Sequence, residues 1–427
     1  GSKTSSETLS ATVTYTNATQ VFLTNDKVNL LFTGSASTTN FVDNNTPNPD
    51  ITILNGASSI ATIQVSNIIG DGTLTIGIDE QTARNDLGNV SAIADSTNSF
   101  SIDNTAPTVA ITSSAVDPIN GSFIANFDFT NPALSSAETS LTGFDVNDVI
   151  LNNANISNFS GSNGSYSATI TPVNDGVVTI NINADAAQDD HGNGNIAAPT
   201  FTINYDGTKP DVSISSVSSL NNGPFEATIT FTESVTGFSI GAISASNANL
   251  SNFTGVSGSV YTVDVAPIVD GAVTLDIAAD SVVDAANNGN TAAAQFSVSY
   301  DATPPSLDIT GPITAQSVAF TATFTFSESV TGFGVGDIVV GNGSASNLQG
   351  SGAVYTALIT PASEGGVTVD VASSVAADVF GNGHTVATQF SVQYDSVQPS
   401  IVVSGPVSEQ NSALPATSTL SDAVTCF

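Results

Sequence analysis

The chain has 427 residues, 40% of them hydrophobic, with one cysteine, no tryptophan, no methionine and a formal net charge of −34. Lys3, Lys27, Arg84 and Lys209 are the only Lys or Arg against 38 acidic side chains, which excludes a basic nucleic-acid surface and attachment to anionic lipid by charge. A lone Cys426 excludes an intrachain disulfide, and no run of 18 apolar residues is present to insert into a membrane.

The apolar residues are Val, Ile, Ala and Phe, set among Ser, Thr, Asn and Gly, a composition that favours strands and turns over helices. Residues 1–104 read as a first, divergent module. Its predicted strands are Ala11–Tyr15, Val28–Phe32, Asp50–Leu54, Ile60–Val65, Thr73–Ile78 and Phe100–Ile102, separated by Gly/Asn/Asp turns. Short strands at this spacing mark an all-β sandwich.

Residues 105–207, 208–302 and 303–396 read as three copies of one module. Each closes with a period-two strand and an exit aspartate. Examples are Phe201-Thr-Ile-Asn-Tyr-Asp206, Phe296-Ser-Val-Ser-Tyr-Asp301 and Phe390-Ser-Val-Gln-Tyr-Asp395; Phe100-Ser-Ile-Asp103 closes the first module. A proline follows at 107, 210, 304 and 399. Phe225-Glu-Ala-Thr-Ile-Thr-Phe-Thr-Glu233 matches Phe320-Thr-Ala-Thr-Phe-Thr-Phe-Ser-Glu328, with Phe, Ala and Ile or Phe facing one way and Thr the other. Ser251-Asn-Phe-Thr-Gly and Ser346-Asn-Leu-Gln-Gly are expected to be loops. Asp71-Gly, Asp175-Gly and Asp270-Gly, each between two strands, are read as hairpin turns rather than ligands. The second module carries an insertion from Asn131 to Ser140. Residues 397–427 begin a fifth, partial module of about two strands, too few to bury a core alone. Either the natural chain continues or another subunit supplies the missing strands.

The phrases Thr325-Phe-Ser-Glu-Ser-Val-Thr-Gly-Phe333, Asp-x-x-Gly-Asn-Gly and Tyr-Asp-x-Thr-Pro-Pro together resemble the bacterial Ig-like repeats of large surface adhesins. The resemblance covers residues 105–427 strongly and 11–104 weakly. It implies immunoglobulin-like sandwiches strung end to end as an elongated rod, secreted to the bacterial cell surface. Related adhesin extenders are held stiff by Ca²⁺ at the junctions between domains.

Carboxylates recur where such junctions fall. Each module has a Gly/Asn turn bearing Asp86, Asp189 or Asp190, Asp284, or Asp378; an exit aspartate at Asp103, Asp206, Asp301 or Asp395 follows. The next module offers Glu138, Glu233, Glu328 or Asp422. The expected sets are Asp86–Asp103–Glu138, Asp189/Asp190–Asp206–Glu233, Asp284–Asp301–Glu328 and Asp378–Asp395–Asp422. Oxygen-only ligands on turns and linkers suit a hard cation such as Ca²⁺. The competing reading is that Asp, Asn and Gly are there only for turn chemistry. His191 and His384 lie near these turns, but no set of His and Cys suits Zn²⁺, no nucleophilic triad recurs, and no enzyme is expected.

Three functions compete. One is a stalk of a surface adhesin, rigidified by Ca²⁺. A second is a subunit of a self-assembling filament, in which a neighbouring copy's strand, such as Thr8–Thr14, completes the fifth module. The third is a tip in the first module, with the loop Thr38–Asn48, that binds host or biofilm glycan or protein.

Overall fold

The computed structural model describes residues 8–38, 50–95, 99–131, 136–137, 141–404 and 417–420. The chain divides into two compact units, residues 1–209 with 285–288, and residues 210–284 with 289–427. Among the described residues the regular structure is strand, with four short 3₁₀ turns.

In the first unit, two sandwiches follow one another. The first pairs Leu9–Thr14 with Ile60–Val65, which pairs in turn with Ile51–Leu54. The facing sheet is built on Gly72–Ile78, flanked by Val28–Gly34, Phe100–Ile102 and Ala94–Asp95. Their inner faces bury Ile63, Val65, Leu74 and Ile76, an aliphatic core. The second sandwich has the order Thr108–Thr112, Phe123–Asn131, Ser165–Pro172, Ala154–Ser162 in one sheet. The other is Val149–Asn152, Gly176–Ile182, Phe201–Tyr205, all antiparallel. A parallel bridge from Ile119 to Tyr205 adds a switched edge.

The second unit repeats this order. One sheet runs Val212–Ser216, Phe225–Phe231, Val260–Pro267, Ala248–Gly255, and the other holds Ile243–Ser246, Gly271–Ile277 and Phe296–Tyr300 with the parallel edge Leu220–Asn221. In the next module Leu307–Thr310, Phe320–Val330 and Gly343–Pro361 face Ile338–Gly341, Gly365–Val371 and Phe390–Tyr394. The alternation read from Phe225 to Phe231 is the buried face: Phe225, Ala227, Ile229 and Phe231 all enter the core. Beyond them Ile401–Ser404 pairs with Thr417–Leu420.

One expectation is overturned. The Ser251 and Ser346 phrases are not loops but lie inside strands Ala248–Gly255 and Gly343–Pro361. Asn252 and Asn347 take φ of 50° and 52°, and Asn158 takes 53° at the matching place. Asparagine tolerates this left-handed geometry, so at Asn158 and Asn252 the strand absorbs a bulge and continues. The residue after each asparagine, Phe159, Phe253 or Leu348, then packs against the core.

Candidate functional site

The Asp-Gly turns are not hairpins: Ser165–Pro172 and Gly176–Ile182 lie in different sheets, as do Val260–Pro267 and Gly271–Ile277, so each turn carries the chain across the sandwich. They also do more than turn it. Pairing of Gly271 with Tyr300 brings Asp270 beside the exit from the module. There its carboxylate accepts the Ala302 N–H at 2.8 Å and the Thr303 hydroxyl at 2.5 Å. Asp175 takes the Gly207 N–H at 2.7 Å and the Thr208 hydroxyl in the same way. Asp71 takes the Asn104 N–H at 2.7 Å and the Thr105 hydroxyl at 2.5 Å. In the last full module Glu364 replaces Asp and Val397 replaces Thr; the longer acid grips the Ser396 N–H and hydroxyl instead. The Thr hydroxyl and then the backbone N–H hold the carboxyls of Asp175 and Asp270 below the usual carboxylate range. The sequence reading missed this clamp, although Asp-Gly recurring at a fixed distance before Asp-x-Thr was its visible signal.

The exit aspartate meets the following module. Asp301, Glu328 and Asp378 each present a carboxylate oxygen within 4.8 Å of the others. Asp378 is buried and caps its own turn: its Oδ1 accepts the Phe380 and Asn382 N–H groups at 2.8 and 2.9 Å. The Asn382 amide donates both to Asp378 Oδ2 at 2.9 Å and to the Asp301 backbone carbonyl at 2.8 Å, stitching the turn to the linker. Asp301 Oδ1 takes the Thr303 N–H at 2.9 Å. Glu328 receives no hydrogen bond from the described residues. Burial raises its carboxyl above the usual range, and the charges of Asp301, Asp378 and Asp270 push it further the same way. Three acids therefore converge where one carboxylate has no donor. A hard divalent cation would relieve both the desolvation and the repulsion.

The expected sets were displaced by one turn. The Gly365 to Tyr394 pairing puts the exit Asp395 at one end of Gly365–Val371, and that strand runs seven residues away before the chain reaches Asp378. A module's turn and its own exit aspartate thus sit at opposite ends. The turn belongs with the preceding exit aspartate, so Asp378 joins Asp301 and Glu328 in place of Asp284. By the same pairing, Asp284 is separated from Asp301 by the length of Gly271–Ile277. Asp395, with its linker held by Glu364, is exposed. Asp206 closes the first unit with its Oδ1 on the Thr208 N–H at 3.1 Å; Glu233, half-buried, and Asp284, buried, lie in the second.

In the first unit, Asp189 is the turn aspartate and Asp190 is not: Asp189 Oδ1 accepts the His191 and Asn193 N–H groups at 2.9 and 2.8 Å, while Asp190 is exposed and faces His191 Nδ1 at 2.7 Å. One module earlier, Asn85 fills this capping role with its Oδ1 on the Leu87 and Asn89 N–H groups, leaving Asp86 exposed. Asp86 is therefore removed from the expected set. Glu138 and Asp422 lie outside the described residues. The residue that occupies the Glu328 position in the second module is Asn131, eight places after Phe123 as Glu328 is after Phe320.

This arrangement of clamped exit and capped turn recurs where the family model for the bacterial Ig-like domain matches, at residues 103–205, 206–300 and 301–394. The chain belongs to the bacterial Ig-like domain family. A search of curated proteins returned no match. Among solved structures, the chain is similar to invasin, a bacterial integrin-binding protein, at 16% identity over 93% of this chain and 82% of that one, TM-score 0.34. It is similar to the Escherichia coli adhesin FdeC at 14% identity over 68% and 96%, TM-score 0.33. The third, a tetra-tandem repeat from the extending region of a large adhesion protein, shares 16% over 93% and 97%, TM-score 0.31. No described helix is long and apolar enough to cross a membrane.

Proposed function

We propose that this chain is an extracellular spacer: a stalk segment of a bacterial surface adhesin whose Ig-like repeats are held end to end by clamped linkers and by Ca²⁺ at the joints. The observation that carries the reading is the convergence of Asp301, Glu328 and Asp378 at one joint, with Glu328 lacking a hydrogen-bond donor among the described residues. These three side chains would supply the acidic oxygens, and the Gly/Asn turn has carbonyls to add. The cation neutralises part of a charge of −34 and fixes the linker against the next module.

Extracellular modules bind Ca²⁺ with dissociation constants of roughly 10⁻⁴ to 10⁻³ M. At about ten times the dissociation constant, one site adds about 1.4 kcal/mol. That is small beside the stability of a sandwich but enough to change how straight a joint is held. Calorimetric titration with calcium chloride should therefore show binding heat, and thermal melts should drop when EDTA is added. Small-angle scattering should give a longer maximum dimension with calcium than with chelator. Absence of binding heat together with unchanged melts would remove the ion from the proposal; a compact scattering profile in both conditions would remove the spacer.

A further inference from the structure

We infer that the joint at Asp103 is closed by an amide in place of an ion, so that this joint stays locked when divalent cations are withdrawn. Asn131 ends the strand Phe123–Asn131 with its side chain buried, 1% exposed, and its Nδ2 donates to Asp103 Oδ2 at 2.6 Å. The other oxygen of Asp103 takes the Thr105 N–H at 2.9 Å. Both oxygens of Asp189 are likewise engaged, Oδ1 by the His191 and Asn193 N–H groups and Oδ2 by the Asn193 amide at 2.9 Å. That same amide also donates to the Asp103 carbonyl at 2.9 Å. Both oxygens of Asp103 and both of Asp189 therefore have protein donors, while the exposed Asp190 beside them faces His191. At the Asp301 joint the matching position is Glu328, which adds a third negative charge and has no donor among the described residues. One residue type decides the difference. An amide N–H₂ satisfies the exit aspartate directly; a carboxylate there repels it and leaves the joint in need of a cation. The chain thus carries one joint whose lock is independent of the medium and another whose lock follows the calcium level.

The contrast between the joints rests on the cation reading above; the latch itself does not. The test is hydrogen exchange followed by mass spectrometry on the full chain, in calcium chloride and in EDTA, read on peptides covering residues 186–196 and 375–385. In the wild type, exchange at 186–196 should be the same in both media, whereas 375–385 should be protected by calcium. Asn131→Glu should speed exchange at 186–196 in EDTA roughly tenfold or more, since a buried charged hydrogen bond is lost and a like charge is added. Calcium should restore it. Asn131→Ala should speed exchange in EDTA without restoration by calcium, and far-UV circular dichroism checks that both variants keep their strands. Calcium-dependent protection of 186–196 in the wild type would overturn the inference. So would unchanged exchange in EDTA for both variants. Absence of a calcium response at 375–385 alone would instead count against the cation reading.

Discussion

The turn after Ala83–Arg84 in the first module is capped by Asn85, while the matching turns in the repeats are capped by the buried aspartates Asp189 and Asp378. The ends of the sandwiches differ as well. In each repeat, rings gather at the end that carries the turn. Phe144 lies 4.9 Å from Phe129 and 5.0 Å from Tyr166. Phe238 lies 5.1 Å from Phe231 and 4.8 Å from Tyr261, and Phe333 lies 5.4 Å from Phe326 and 5.1 Å from Tyr355. Among the described residues of the first module no such ring pair occurs, and its core is aliphatic. A sandwich can be closed either way. What the aromatic end adds is a rigid floor: Phe326 stands two residues before Glu328, so the packing that fixes the ring also fixes the carboxylate. Aromatic edge-to-face contacts are directional, and a site that needs three acids in register needs that directionality.

The largest test of this difference removes a ring. Phe333→Ala opens the cluster of Phe324, Phe326 and Tyr355 and should cost about 3–5 kcal/mol of the module's stability. Phe32, only partly buried against the first core, should cost less when replaced by Ala. Denaturant unfolding of the two variants measures both. Equal losses would mean that the aromatic end is ordinary core packing with no special weight.

A smaller effect separates the repeats from one another. Asn195 Oδ1 accepts the Ala187 N–H at 2.8 Å, and its Nδ2 donates to the Asn183 and Ile196 carbonyls at 3.0 and 2.8 Å. Asn290 repeats the pattern on Val282, Ala278 and Thr291. In the next module the position is His384, fully buried, with Nδ1 between the Ala376 N–H and carbonyl and Nε2 without a partner among the described residues. The ring gains an edge-to-face contact with Phe326 at 5.4 Å. An unpaired buried polar atom costs about 1–3 kcal/mol, more than one such contact returns. His384→Asn should therefore stabilise this module by about 1 kcal/mol, the difference between the two. A lower melting temperature in the variant would show that ring packing outweighs the missing hydrogen bond.

How much of this was legible in the sequence follows from what each feature depends on. The alternation from Phe225 to Phe231 gave the buried face because period two is a property of the chain itself. The recurring acids were visible for the same reason, but their grouping was not. Whether Asp378 meets Asp301 or Asp395 depends on which way Gly365–Val371 carries the chain, and strand direction is a tertiary fact. Asn85 and Asn131 escaped notice because an amide doing the work of a carboxylate breaks a search for acids. Asn252 read as a loop because asparagine commonly ends strands; here it bends one. The clamp was hidden by a reading that stopped at the turn: Asp270 sits in a turn between two sheets rather than in a hairpin, and nothing local says that its side chain reaches forward to Thr303.

That clamp is the feature the first module and the repeats share, and it gives the gentlest test. Asp71, Asp175 and Asp270 hold their linkers with the same two bonds, a backbone N–H and a Thr hydroxyl. In the folded chain the carboxyls of Asp175 and Asp270 lie below the ordinary 3.8. A lowered carboxylate favours the ionised, clamped form, so its contribution is present above the unfolded value and is lost as pH falls through the lower folded one. The bonds are solvent-exposed, so the global melt should barely move. The amide proton resonances of Gly207 and Ala302 should report the change, shifting upfield with a midpoint below 3.8 as their acceptors are protonated. Asp270→Asn should abolish the titration at Ala302 and leave that at Gly207 intact. If Ala302 still titrates in the variant, the linker is held by some other acid, and the one device common to all the modules is not what sets their exits.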